Sequence, residues 1–294
     1  MRFGLVGTGP WAELAHGPGL LAAQGQELGG VWGRRFEKAQ EVAGGLGVAA
    51  YDDIGTLLDD VDAVAFAVPP DVQVALATRA ARAGKHLLLD KPVATSVVAA
   101  KELEAAVCDA GVASVVFFTD LFAPALRPWF DAAAGAGGWV GGTARWLGDL
   151  DDPENPFGAS PWRREQGALW DIGPHALAGL SFVLGPVRAV SAVGGAGDLV
   201  HLVLTHEGGA TSTASLSLFA PAAATGSELT VWGDSGVTSM PKRTEVDEVA
   251  ALAAAAQELA ATAESGGSHP LDLALGVRVV QILADADSQV RAHR

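Results

Sequence analysis

Lys91, Asp171 and His175 are side chains whose types and settings suit assisted proton transfer. An amine can donate to an oxygen, an imidazole can accept a proton, and a carboxylate steadies the charged ring. Asp171 and His175 stand four residues apart, so on one helix they share a face. Taken alone, the pair reads better as a helix-start carboxylate and a satisfied structural histidine. Lys91 follows the apolar run 85–89, and ligands gather at the carboxyl ends of strands in doubly wound sheets. It is either a donor to a substrate hydroxyl or carbonyl oxygen, or a surface lysine ahead of the Pro92 turn. Asp/His spacing also permits metal, but no further ligand cluster accompanies it, so no metal site is expected.

Gly7-Thr8-Gly9-Pro10-Trp11-Ala12 follows an apolar strand at residues 2–7 and opens a helix. Gly7 permits a tight turn, Gly9 lets backbone approach a pyrophosphate, and Ala12 is small enough for helix–strand packing. The helix start would aim N–H groups at phosphate. A strand before and a helix after are the context that turns this pattern into a dinucleotide seat. The second expected strand ends at Gly33-Arg34-Arg35, with no carboxylate until Glu37. A carboxylate there would favour a free ribose hydroxyl, whereas arginine binds a 2′-phosphate. NADP(H) is therefore the preferred cofactor, with Arg34 the first contact and Arg35 the second, and NAD(H) is the alternative. The other reading is a solvated basic pair opening a helix.

Strands expected at 2–7, 27–33, 62–68, 85–89 and 112–118 alternate with helices near 36–43, 72–83 and 95–110, the last capped by Thr95 or Ser96. This is the pattern of a parallel sheet covered on both faces. After residue 118 the strands follow one another, at 139–147, 187–193, 199–205, 210–219 and 228–232, with a hairpin turn at Glu207-Gly208-Gly209. Thr211, Thr213, Ser215 and Ser217 alternate with Ser212, Ala214, Leu216 and Leu218, as in an antiparallel sheet covered on one side. The helix holding His175 and residues 271–290 are expected to cover it. The fold class is thus α/β. A dinucleotide-binding Rossmann domain spans 1–118, and an α/β domain with a mainly antiparallel open sheet spans 119–294. Residues 148–166, rich in Pro, Asp and Asn, read as a long loop.

A chain of 294 residues, 49% hydrophobic, suits two cores rather than one. The formal net charge of −15 argues against nucleic acid and anionic membranes as partners. The single cysteine, Cys108, excludes an internal disulfide and suits a reducing compartment; a buried structural thiol is expected. With no secretory segment or membrane span evident, a cytoplasmic location is expected.

The chain resembles the Gfo/Idh/MocA oxidoreductase family, named for glucose–fructose oxidoreductase and inositol dehydrogenase. The residues that carry the resemblance are Gly7–Ala12, Val68-Pro69-Pro70, Asp90-Lys91-Pro92, Trp162-Arg163, residues 167–175 and His269-Pro270-Leu271-Asp272, in the family's order. The resemblance implies that Val68 and Pro69 adjoin the cofactor and that Lys91, Asp171 and His175 are the catalytic trio, meeting the substrate as well. It raises Trp162 and Arg163 as sugar contacts, through ring stacking and hydrogen bonds. It also implies a homodimer or homotetramer joined through the exposed face of the second sheet. Departures from the family pattern are Asp90 for a glutamate, Gln73 where a histidine is frequent, Ala178 for a carboxylate, and one glycine, Gly167, for two.

The expected activity is NADP(H)-dependent hydride transfer to or from a secondary alcohol or ketone of a carbohydrate-like small molecule. Alternatives are a glycoside hydrolase acting through transient oxidation on retained NAD, and a non-catalytic NADP(H)-binding regulator.

Overall fold

The structure is a computed structural model describing residues 1–243 and 246–292. It forms two compact units, Met1–Ala123 with Asp247–Arg278, and Pro124–Val246 with Val279–Arg294. Contacts therefore divide the chain differently from a cut in chain order at residue 118.

The first unit contains β1 (Arg2–Val6), α1 (Gly17–Ala22), β2 (Glu27–Trp32), α2 (Phe36–Leu46), β3 (Ala49–Tyr51), α3 (Ile54–Asp59), β4 (Ala63–Phe66), α4 (Pro70–Arg82), β5 (His86–Asp90), α5 (Val97–Ala110), β6 (Ser114–Phe117) and α6 (Thr119–Phe122). Its strands form one parallel sheet in the order β3-β2-β1-β4-β5-β6. Phe3, Leu5, Val6, Val64, Phe66, Leu87, Leu89 and Val115 are fully buried, as the near-continuous apolar runs require of a sheet covered on both faces. The short β3 was not among the expected strands. Its three residues carry no resolvable alternation, and pairing with β2 defines it.

Ser96 caps α5 by accepting the Ala99 N–H at 3.2 Å. Ala100, Leu103, Ala106 and Val107 form the buried face of α5. Cys108 falls on the opposite face and is exposed, which corrects the expectation of a buried thiol.

The second unit holds α7 (Arg127–Ala136), β7 (Trp139–Leu147), α8 (Pro161–Asp171), α9 (Gly173–Leu184), β8 (Val187–Gly194), β9 (Val200–His206), β10 (Thr211–Ser217), β11 (Gly226–Gly233) and β12 (Gly236–Ser239). The strand order is β12-β11-β7-β10-β9-β8. Among the described residues four of its five strand pairs are antiparallel, and β7 with β10 is parallel. Leu177, Leu180, Val183 and Leu184 bury one face of α9, each worth about 1.5–3 kcal/mol. The opposite sheet face leaves Thr143, Val203, Thr211, Thr213 and Trp232 exposed. Ser217 keeps the alternating register but is buried rather than exposed, its hydroxyl donating to Asp198 Oδ1 at 2.7 Å. The expected loop 148–166 also ends early, because Ser160 caps α8 through the Arg163 N–H.

The chain then forms α10 (Glu248–Ser265) in the first unit and α11 (Leu273–Ala292). The apparent alanine repetition of α10 is a packing surface. Ala251, Ala255 and Ala256 are fully buried, and Gly19 of α1 lies so close that a Cβ there would stand 2.7 Å from Leu252. Leu271 extends the first sheet's edge by accepting the Val116 N–H at 2.7 Å. Among the described residues no helix is long and apolar enough to cross a membrane.

Candidate active site

In the first unit the ends of β1, β2 and β4 meet through backbone. Gly7 has φ +139°, and a Cβ there would stand 2.3 Å from the Ala67 carbonyl oxygen, so glycine is required on two counts. Its N–H donates to the Trp32 carbonyl at 3.0 Å, and the Ala67 N–H donates to that of Val6 at 2.9 Å. A Cβ on Gly33 would lie 2.6 Å from Thr8 Cγ2. These absent side chains leave a cavity of about 510 Å³ lined by Gly7, Thr8, Gly9, Trp32, Gly33, Arg34, Arg35, Ala67, Val68, Pro69 and Val72. No carboxylate is among those lining residues, and both arginines are exposed. The cavity stands beside β1, where the strand order reverses, the usual place for a dinucleotide in an open α/β sheet. Its glycine cradle fits that group.

Pro10 and Trp11 open the following helix rather than line the cavity. The Ala12 and Glu13 N–H groups both donate to the Gly9 carbonyl, at 2.9 and 3.2 Å, and Ala12–His16 wind as a π turn. Ala12 is fully buried, as its small size predicts. The Trp11 ring packs with His16 and Phe117, its centroid 6.2 and 6.5 Å from theirs.

Lys91 follows β5 and is half-buried. The preceding residue is tightly held. Gln73, fully buried in α4, accepts the Asp90 N–H at 2.8 Å and donates to the Asp90 carbonyl at 2.9 Å, like one rung of a sheet. It also donates to the Val93 carbonyl at 3.3 Å. The Lys91 N–H donates to Asp90 Oδ1 at 2.7 Å. Gln73, visible in the sequence only as a departure from a pattern, is thus the residue that pins the lysine-bearing loop.

Asp171 and His175 lie together in the second unit, though not on one helix. Helix α8 ends at Asp171, Ile172 intervenes, and Pro174 opens α9, so the shared-face expectation is corrected to a helix junction. The Gly173-Pro174 pair carried that signal, since proline favours the first turn of a new helix. Asp171 is buried and paired with the Arg163 Nε at 2.9 Å, and the Arg163 guanidinium lies 4.1 Å above the Phe157 ring. Arg163 therefore supports the carboxylate, whatever else it meets; Trp162 beside it is half-buried. The His175 ring stacks on Trp146 at 4.9 Å, and the Arg243 guanidinium lies 5.1 Å from the Trp146 ring. Helix α8 is itself broken at Gly167, φ +67°. There Asp198 Oδ2 accepts the Ala168 N–H at 3.2 Å and the Leu218 N–H at 2.8 Å, capping the segment that carries Asp171. Trp146, Asp198 and Arg243 were not legible as site residues, because their partners are distant in sequence.

His86, His206 and His269 bond within the scaffold. His269 accepts the Leu271 N–H at Nδ1, so Nε2 bears the proton and donates to Glu258 at 2.7 Å. Burial pushes His206 and His86 below the ordinary imidazole value. Among the described residues no group of three or more His, Cys, Asp or Glu side chains is placed to hold a metal ion.

Residues 1–118 match the model of an oxidoreductase family with an NAD-binding Rossmann fold, and residues 133–239 match the GFO/IDH/MocA C-terminal domain. An uncharacterized oxidoreductase of Synechocystis sp. is 31% identical over 200 residues, 64% of this chain and 52% of that protein. The dTDP-3,4-didehydro-2,6-dideoxy-alpha-D-glucose 3-reductase of Actinomadura kijaniata is 29% identical over 212 residues, 70% of this chain and 60% of the reductase. The matched stretches thus span half to three-fifths of these relatives' lengths. Among solved structures, levoglucosan dehydrogenase in complex with NADH and levoglucosan superposes with a TM-score of 0.85 at 19% identity, covering 99% of this chain and 97% of that one. At that identity the likeness speaks for the fold. With both halves matched in order, the chain belongs to the Gfo/Idh/MocA family of oxidoreductases.

Proposed function

We propose that this protein is an NADP(H)-dependent oxidoreductase acting on a secondary alcohol or ketone of a sugar, cyclitol or related small molecule. The observation that carries the reading is the Gly7 cradle opening into a cavity with two arginines and no carboxylate in its lining. A nicotinamide dinucleotide bound there supplies the hydride donor or acceptor. Arg34, with Arg35 behind it, binds the 2′-phosphate against the chain's overall negative charge. Residues 1–118 carry the dinucleotide, and residues 119–294 carry the substrate and the contacts between copies.

In the oxidative direction His175 takes the hydroxyl proton. Its Nδ1 is buried, which leaves Nε2 as the receiving atom. Asp171, held by Arg163, stabilises the ring once it is charged. Lys91 donates to the substrate oxygen, and Trp162 packs on a sugar face. Sugar-nucleotide and anhydrosugar names among the relatives support a carbohydrate-like substrate. The exposed sheet face, with Thr143, Thr213, Val203 and Trp232, suits a homodimer or homotetramer. The exposed, unpaired Cys108 suits the reducing cytoplasm.

The test combines NADPH and NADH titration with reduced-nicotinamide absorbance against a panel of ketoses and polyols. Arg34→Ala is expected to weaken NADPH about tenfold and NADH little, the loss of one charge-assisted contact. His175→Ala is expected to lower kcat by roughly 10²–10⁴-fold while leaving cofactor affinity unchanged. Equal affinity for both cofactors in the native chain, unmoved by Arg34→Ala, would end the NADP(H) assignment. A fully active His175→Ala would end the role of that ring, and NADPH binding without turnover on any substrate would favour a regulator.

A further inference from the structure

His16 is fully buried, yet among the described residues neither of its ring nitrogens has a hydrogen-bond partner. His206 and His269, also buried, use both of theirs. A neutral imidazole still carries one N–H, and leaving a buried donor unmade costs about 1–3 kcal/mol. The ring is held edge-on between Trp11 and Phe117, with centroids at 6.2 and 5.7 Å, so it has little freedom to seek a distant partner. Its Nε2 stands 3.7 Å from Asp90 Oδ2. The other oxygen of that carboxylate accepts the Lys91 N–H, and Gln73 fixes the Asp90 backbone on both sides. Closure by roughly 0.5–1 Å brings the pair into the ordinary N–H···O range, and site hydrogen bonds are commonly long before ligands bind.

We propose that His16 is a positioning residue for Lys91. Its Nε2–H donates to Asp90 Oδ2, and the carboxylate, held at one oxygen by the imidazole and at the other by the Lys91 amide, fixes the backbone that presents the ammonium. Nε2 is the ring nitrogen near an acceptor, since Nδ1 is buried with no hydrogen-bond partner among the described residues. This assignment rests on the role given to Lys91 above.

Histidine-selective ¹⁵N labelling of the full chain tests the contact directly, with the His16 ring identified by its absence in His16→Gln. The expected result is the Nε2–H tautomer, with an Nε2–H resonance that moves in Asp90→Asn. The Nδ1–H tautomer, or a resonance indifferent to Asp90→Asn, overturns the proposal. Kinetics supply the second arm. His16→Leu is expected to lower kcat about tenfold with NADPH affinity held within about threefold, and His16→Gln, whose amide can donate, to recover most of that loss. Equal losses in the two variants, or none in His16→Leu, overturn the proposal. A native chain without turnover would instead remove the role of Lys91, and the labelled ring reports the His16–Asp90 contact regardless.

Discussion

The glycine-lined cavity of the first unit and the Asp171–His175 region are built by opposite means. The first is made by leaving atoms out: Gly7 lies against the Ala67 backbone at a distance no Cβ would allow, and Gly33 leaves room for the Thr8 side chain. The second is made by putting polar atoms in, with Arg163 on Asp171 and Asp198 on the α8 backbone. A cradle of absent side chains fails when anything is added. A lattice of hydrogen bonds fails when anything is removed, and it fails by degrees, because each orphaned group costs a bounded amount.

The sharpest way to break this contrast is Gly7→Ala. The added methyl meets the Ala67 carbonyl oxygen, and alanine must also hold φ +139°. NADPH affinity should fall at least about 100-fold, ~2.7 kcal/mol, by calorimetric titration. Native-like affinity in that variant would mean the cofactor lies elsewhere.

Asp198→Ala tests the other construction. The substitution orphans the Ala168 and Leu218 N–H groups and frees the Ser217 hydroxyl. Loss of about 2 kcal/mol is expected, a Tm fall of roughly 4–8 °C for a unit of this size. Because Ala168 opens the segment ending at Asp171, kcat should fall while NADPH affinity holds. A drop in NADPH affinity as large as that in kcat would erase the distinction between the regions.

The same contrast explains what was legible in the sequence. Missing side chains leave a local signature: Gly7 and Gly9 after a strand, then Ala12, give the first unit's cavity almost whole. The long strands β7, β9 and β10 announce themselves by alternation, whereas β3 and β12, at three and four residues, do not. The second region was legible as residue types but not as geometry. Four-residue spacing suggested one helix, although Pro174 marked the start of another. Asp198 lies 30 residues from the amide it caps and His16 lies 74 from Asp90, and no local pattern links partners across such separations. Ser217 reads as one more outward hydroxyl until Asp198 is placed beside it.

The smallest expected effect concerns His206, a side-chain-built element of the second unit remote in sequence from Asp171 and His175. Its Nδ1 faces the Gly185 carbonyl at 2.7 Å, an acceptor only, so Nδ1 bears the proton. Nε2 then accepts from the Ser212 hydroxyl at 2.8 Å. Burial lowers its pKa below the ordinary value of 6.5, and the Gly185 hydrogen bond offsets only part of that shift. The unfolded chain therefore binds a proton at His206 before the folded chain does, so this contribution to stability is present above pH 6.5 and is lost as pH falls through the folded value. His206→Asn keeps a donor near Nδ1 but cannot titrate. It should be less stable than the native chain by about 1–2 kcal/mol at pH 7.5 in urea unfolding. The gap should narrow as pH drops below 6.5, because only the native chain is losing stability at this position. His86, depressed in the same direction, titrates in both proteins and cancels from the difference. A gap that stays constant with pH would show that the His206 ring does not carry a depressed pKa, and that polar bonds in this region are set without reference to protonation.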